Sequence, residues 1–373
     1  MQTLNRTLGV NHPSLAAYGH ELLPALVVFL VALPLSLGIA LASGVPPAAG
    51  LISAIVGGLV VGRLAGSPLQ VSGPAAGLAV LVFELVHTWG IGMLGVIVVL
   101  AGVLQTVAGL LGLGRWFRAV SPSVVHGMLA GIGLMILASQ LLVVFDVAPT
   151  GSSIGDWLAL PGAALRAVGG GAPLASALTG FVGIAGIVLW ERWRPAGLQA
   201  VPGALVGVVS ASVLALFFGL PVPYVELPTD LLGTLDLTTP SDLLAGITHP
   251  GVWAGAAGLA AVASAEAMLS ATAVDQMHDG ERTDYDRELV AQGIGNLVSG
   301  GLGALPVTGM IVRSSANVQA GATTRLPAML HGLALLVLVL GAPALLGLIP
   351  LAALAAVLVV TAVRLVGLDD LVT

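Results

Sequence analysis

Two ionisable side chains lie in stretches apolar enough to make them costly: Arg313 in MIVRSSANVQ and Glu266 in AVASAEAMLSA. A charge held at bilayer depth costs at least ~2.5 kcal/mol. A chain that keeps one there has a use for it. The planar guanidinium of Arg suits carboxylates and oxyanions, which it grips with two parallel bonds. Attraction of an anionic ligand is the reading of Arg313, with a fixed ion pair to Glu266 or snorkelling to the interface as the alternatives. Glu266 sits among small residues, which allow helices to pack closely, so its carboxyl is expected to face protein. Burial favours the protonated form and a nearby guanidinium the ionised one, a balance that suits proton coupling. Ser270 follows one turn later on the same helix face.

A short internal repeat lies near each end of this chemistry. Leu69, Gln70, Val71, Ser72 and Gly73 read LQVSG, and Leu305, Pro306, Val307, Thr308 and Gly309 read LPVTG. Each pentapeptide is extended in character, follows a Gly-rich helix and opens an unusually short apolar run, 73–87 or 309–320. Paired short or interrupted segments at corresponding positions of two halves mark a transporter binding site. An odd number of spans separates the copies, so the second is inverted and the two short helices enter from opposite faces. Their N-termini are expected to meet near the midplane. Each N-terminus carries unpaired N–H groups and about half a positive charge, so facing tips form an anion site without side chains. Gly73 and Gly309 would let a ligand approach the backbone, and Ser72 and Thr308 would cap their helices or also donate to the ligand.

The elements that must hold this site are membrane helices. The chain has 373 residues, 57% of them hydrophobic and 8% charged, against about 25% charged in a soluble domain. Mean hydropathy is +1.05, which excludes a large soluble domain. Spans are expected at 22–43, 47–64, 91–113, 122–145, 173–190, 202–220, 251–274, 288–303, 326–345 and 350–365, besides the two short runs. Pro34 is expected to kink or break the first span. All twelve basic residues are Arg, and Cys is absent, so disulfides, thiolate metal sites and cysteine nucleophiles are excluded. No cofactor or metal is expected.

With the N-terminus in the cytoplasm, Arg6, Arg63, Arg115, Arg118, Arg192, Arg194, Arg282, Arg287, Arg325 and Arg364 fall inside and only Arg166 outside, as the positive-inside rule requires. The 221–250 loop falls outside, with Glu226, Asp230, Asp236 and Asp242 and no Arg. Glu84 reads as a rim residue, and His126 and His331 as packing or interface histidines near helix starts. Asp275, Asp279, Glu281, Asp284, Asp286 and Glu288 read as a solvated loop, with Glu288 complementing a helix start.

The stretches VALPLSLGIALASGVPPAAGL, SPLQVSGPAAGLAVLV and DRELVAQGIGNLVSGGLGALPVTGMIVRSSANVQAGATTRL resemble the sulfate permease (SulP) family of anion transporters over nearly the whole chain. The resemblance implies an all-α polytopic membrane protein with two inverted seven-helix repeats (7+7), the uracil permease-like transporter fold. It implies core segments at 21–113 and 251–345 and gate segments at 122–220 and 350–373. The last two helices of the second repeat are missing from this count, as is the cytoplasmic STAS domain common in the family, so a truncated chain is expected. By the same resemblance Ala32, Pro34 and Leu35 line the site from the first helix, Ser72, Gly73, Pro74 and Ala75 from the third, Glu266 and Ser270 from the eighth, and Gly309, Met310, Ile311 and Arg313 from the tenth. Many members carry polar residues where Ala32 and Leu35 stand. Ile311 aligns with the hydroxyl used by sodium-binding relatives, which disfavours sodium.

The function expected is secondary active transport of a small anion (sulfate, bicarbonate or a dicarboxylate such as fumarate), as proton symport with an elevator-like shift of core against gate. The alternatives are an uncoupled anion channel or an anion exchanger of the same fold. Enzyme activity is not expected. The partners expected are the anion, the proton, the lipid bilayer of a bacterial inner membrane and a possible second copy in a homodimer, with no nucleic acid.

Overall fold

The computed structural model describes residues 20–117, 122–150, 152–198, 201–226 and 236–367. Arg6, Arg118, Asp230 and the side chains of Arg115 and His126 lie outside the described residues. The first half runs α1 (Leu22–Ala42), α2 (Pro47–Leu64), β1 (Ser72–Gly73), α3 (Ala76–Trp89), α4 (Ile91–Leu110), α5 (Pro122–Val144), α6 (Ser153–Val168), α7 (Ala172–Trp193) and α8 (Gly203–Phe217). The second runs α9 (Pro240–Ile247), α10 (Pro250–Gln276), α11 (Tyr285–Gly301), β2 (Thr308–Gly309), α12 (Ile311–Gln319), α13 (Leu326–Gly341) and α14 (Leu351–Leu365). Five of these helices, α1, α2, α4, α7 and α10, are long and apolar enough to cross a membrane.

Three expectations need correction. Helix α1 runs unbroken through Pro34. A proline costs a helix one hydrogen bond and a clash, and here buried packing on both sides of Pro34 holds the helix together. Helix α6 was not expected at all. Asp156, Pro161 and Arg166 interrupt its apolar pattern, so hydropathy alone reads it as a loop. Ser152 caps it, accepting from Gly155 N at 3.0 Å, and Ile154, Leu158, Leu165 and Val168 are exposed along it. Glu288 is not solvated: it lies in the first turn of α11 and is fully buried.

The tightest helix pair is α4 with α11, and glycines spaced by seven explain it. A Cβ on Gly95, Gly102 or Gly109 of α4 would lie 2.9 Å from Gly300 O, 2.7 Å from Gly293 O or 2.9 Å from Asp286 O. The backbones are thus nearly in contact, which only small residues permit. Helix α10 also packs on α4, α13 and α12 pack on α1, and α12 packs on α10. A second group joins α5 to α14 and α7 to both α8 and α14. Between the groups, α1 meets α14 and α8, and α3 meets α5.

Candidate functional site

The two pentapeptides meet. Ser72 pairs with Gly309 and Gly73 with Thr308 in an antiparallel two-stranded ladder, extended by Met310 N donating to Val71 O at 3.0 Å. The ladder replaces the expected first turns at Gly73 and Gly309, so α3 starts at Ala76 and α12 at Ile311. Neither expected cap forms. The N-cap residues are Ala75 and Met310, without side-chain caps. Thr308 Oγ1 instead donates to Ala263 O at 2.8 Å, and Ser72 Oγ accepts from Gln292 Nε2 at 2.8 Å. The first turns of α3 and α12 therefore present backbone N–H groups that no side-chain cap occupies.

The ladder is clamped from several helices. Ser314 Oγ accepts from Val71 N at 2.9 Å, and Asn317 Nδ2 donates to Leu69 O at 3.0 Å, so α12 holds the first extended segment. The second is held by α2 and α11: Ser53 and Ser299 donate to Leu305 O at 2.7 and 2.6 Å. Asn296 pairs with Val307 as a strand would, giving Nδ2 to its carbonyl at 2.9 Å and accepting its N–H at 2.6 Å. The same Nδ2 reaches Gln105 Oε1 at 2.7 Å, and Gln105 reaches Ser264 of α10 at 3.1 Å. Glu288 accepts from Ser67 N at 3.0 Å and from Gln292 Nε2 at 2.7 Å, linking the end of α11 to Ser72. Extended backbone at membrane depth survives only when its polar groups are satisfied this way.

The sequence reading does not single out the clamping residues Gln292 and Asn296, and it takes Glu288 only as a solvated residue at a helix start. The signal available was a file of polar residues, Glu288, Gln292, Asn296 and Ser299, spaced by three or four along one face of an apolar helix.

Arg313 is fully buried. Its Nη2 donates to Ser36 Oγ at 3.0 Å, while Nε and Nη1 have no partner among the described residues. Nη1 occupies the space where a Cβ on Gly73 would stand. The guanidinium therefore lies directly behind the ladder. It forms no ion pair with Glu266. Glu266 points to the start of α3, where a Cβ on Gly77 would lie 2.8 Å from its Oε1, and its Oε2 has no partner among the described residues. Ser270 is buried one turn on.

Ala32, Pro34 and Leu35 are buried on α1, as are Ser72, Gly73, Pro74, Ala75, Thr308, Gly309 and Met310 around the ladder, whereas Ile311 is exposed. Gln70 fills the space above Gly309, so a Cβ there would collide with its amide, and Gln70 Nε2 donates to Ala267 O at 3.0 Å. His331 is fully buried, as a packing histidine, and Glu84 is exposed.

Space near the ladder is asymmetric. A cavity of about 360 Å³ opens between α1 and α12 on one side and α7, α8 and α14 on the other, lined among others by Leu35, Val312, Ser315, Val360, Arg194 and Arg364. On the opposite face, the cleft along Ile39, Ser43, Pro74, Ala75 and Pro306 is too tight to hold a water. The ladder is closed on one face and approached by the cavity from the other.

Similarity to known proteins agrees with this architecture. Residues 19–373 match the model of the Sulfate permease family. The chain is 27% identical over 360 residues to the putative sulfate transporter YvdB of Bacillus subtilis (strain 168), covering 94% of this chain and 65% of that protein. It is 28% identical over 354 residues to the bicarbonate transporter BicA of a Picosynechococcus strain, covering 90% of this chain and 60% of that protein. It thus spans under two thirds of the length of either relative. Its fold superposes on the transmembrane domain of a cyanobacterial bicarbonate transporter, BicA, with a TM-score of 0.78 and 26% identity, covering 95% of this chain and 90% of that one. The overall structure of SLC26A9 shares the fold at a TM-score of 0.76 and 18% identity, covering 94% of this chain and 58% of that one. The inverted-repeat membrane fold and the family are one finding: this chain belongs to the sulfate permease family.

Proposed function

We propose that the chain is the membrane part of a secondary transporter that carries a small anion across the bacterial inner membrane, N-terminus inside. The observation that carries the reading is the antiparallel meeting of Ser72–Gly73 with Thr308–Gly309, backed by a buried guanidinium. An anion placed before the ladder accepts from the free N–H groups at the starts of α3 and α12 and feels Arg313 through the glycine backbone. Ala32, Pro34 and Leu35 give that position an apolar wall, with Pro74, Ala75, Met310 and Ile311 around it. Arg313 acts here as a fixed field behind the cargo rather than as a ligating fork, since its side chain is wholly buried.

Alternating access then moves α1–α4 with α10–α13 against α5, α7, α8 and α14 as two bodies. The open cavity on one face and the closed cleft on the other support an inward-open resting state. Glu266, with one carboxyl oxygen unpartnered at the start of α3, is the proposed proton-coupling group and Ser270 its support. The relatives named as sulfate and bicarbonate transporters make those anions the first candidates, with fumarate the dicarboxylate to compare.

The test is uptake of radiolabelled sulfate, bicarbonate and fumarate by proteoliposomes, with and without an inward proton gradient. One anion should accumulate under the gradient, and Glu266→Gln should retain downhill flux while losing accumulation. Accumulation unchanged in Glu266→Gln removes the coupling role. A steep anion current without accumulation replaces the carrier with a channel of the same fold.

A further inference from the structure

The open cavity carries a cluster of charge that the ladder does not use. Its mouth is lined by Arg194 just beyond α7, by Glu191 in the last turn of α7 and by Arg364 in the last turn of α14. Glu191 and Arg364 form an ion pair, and both side chains remain part-exposed, at 23% and 38%. Glu191 also crowds the start of α8, where a Cβ on Gly203 would lie 2.7 Å from its Oε1. Arg194 lines the same space without an ion-pair partner among the described residues. All three lie at the ends of α7 and α14, across the cavity from Leu35, Val312 and Ser315.

Two guanidiniums and one carboxylate leave a net positive charge at a mouth large enough for an oxyanion and its first waters. An Arg pairs with a sulfate, bicarbonate or carboxylate oxygen through the same donors that it offers a Glu. Glu191 is short-tethered and sits where such an oxygen would sit.

We propose that Arg194 and Arg364 form a second, gate-side anion site at the cavity mouth, with the Glu191 carboxylate as its built-in competitor. An arriving anion displaces Glu191 from Arg364, and Glu191 returns once the anion has moved inward or left. The site concentrates small oxyanions at the mouth while Glu191 keeps them from being held too tightly to leave. This inference rests on reading the cavity as an anion's route, but its test needs no transport.

The chain has no cysteine, so a single fluorophore on Gln319→Cys, an exposed position lining the same cavity, reports on the mouth. In purified protein at constant ionic strength, iodide should quench part of the label's emission. Sulfate should remove that part along a saturable curve, with quenching by neutral acrylamide unaffected. Glu191→Gln should lower the sulfate midpoint by about tenfold, the effect of one unit charge at about 6 Å from a doubly charged anion in a water-like dielectric. Arg194→Gln should raise it by about the same factor. If Glu191→Gln does not fold, Arg194→Gln decides the matter alone. A sulfate effect that never saturates, or midpoints that neither substitution moves, overturns the second site. A saturable effect in a protein that carries no anion in proteoliposomes keeps this site and rejects the transport reading instead.

Discussion

At the scale of residues, the site is built from close approaches that leave no room for a methyl group. Gly309 lies under the Gln70 amide, and a Cβ there would collide with it. Gly309→Ala should therefore destabilise the protein by about 1–3 kcal/mol through overpacking. Gln70→Ala should cost about 1 kcal/mol for the bond lost to the Ala267 carbonyl. The double substitution relieves the clash, so it should cost at least ~1 kcal/mol less than the sum, which unfolding of all four proteins in detergent measures. Strict additivity would mean that the two side chains do not meet. Arg313 and Glu266 were legible in the sequence because charge in an apolar run is conspicuous. Their mutual distance was not: one faces Ser36 and Gly73, the other Gly77, and a sequence does not tell on which side of a two-residue strand a side chain falls.

At the scale of elements, the ladder depends on side chains that imitate backbone. Asn296 makes two bonds to Val307 and one to Gln105. At about 1 kcal/mol each, Asn296→Leu should cost about 3 kcal/mol and free the segment before β2. Faster hydrogen exchange at Val307 and Thr308 would register that release, and unchanged exchange would deny it. Outside the membrane, the Thr239 hydroxyl and N–H both donate to Asp242, at 2.6 and 2.8 Å, at the start of α9. They hold its carboxyl below the usual carboxylate range, the hydroxyl contributing most. A depressed folded value means that this cap stabilises α9 at neutral pH and is lost as pH falls through that value. Protection of the α9 amides, corrected for intrinsic exchange, should drop in acid in the wild type. It should already be low and nearly flat in Thr239→Ala. The spans and the two short helices were readable from hydropathy and the repeat. Helix α6 was not, because its apolar residues follow one exposed stripe rather than a continuous run. The glycines at 95, 102 and 109 were equally present in the sequence, yet their meaning depends on α11 lying opposite.

At the scale of the whole molecule, one cavity and one closed cleft flank a single ladder, and the helices around them fall into two packed groups. Relative motion of those groups is what would carry an anion from one face to the other. The chain has no cysteine, so pairs can be introduced without background. Ala316→Cys with Val360→Cys places one thiol on each group across the open cavity. A bifunctional thiol reagent should stop uptake in this pair and not in either single variant. Full uptake after cross-linking would show that the groups do not move apart at this place.

The charge behind the ladder is most directly tested by equilibrium binding of radiolabelled sulfate and bicarbonate to purified wild type and Arg313→Gln. A unit charge about 5 Å from singly charged bicarbonate at an effective dielectric near 20 is worth about 3 kcal/mol, and about twice that for doubly charged sulfate. Removing it should weaken bicarbonate binding about a hundredfold, and sulfate binding by more, while the thermal unfolding profile still shows a folded protein. Equal affinity in a folded Arg313→Gln protein would mean that the anion does not bind at the meeting of the two strands.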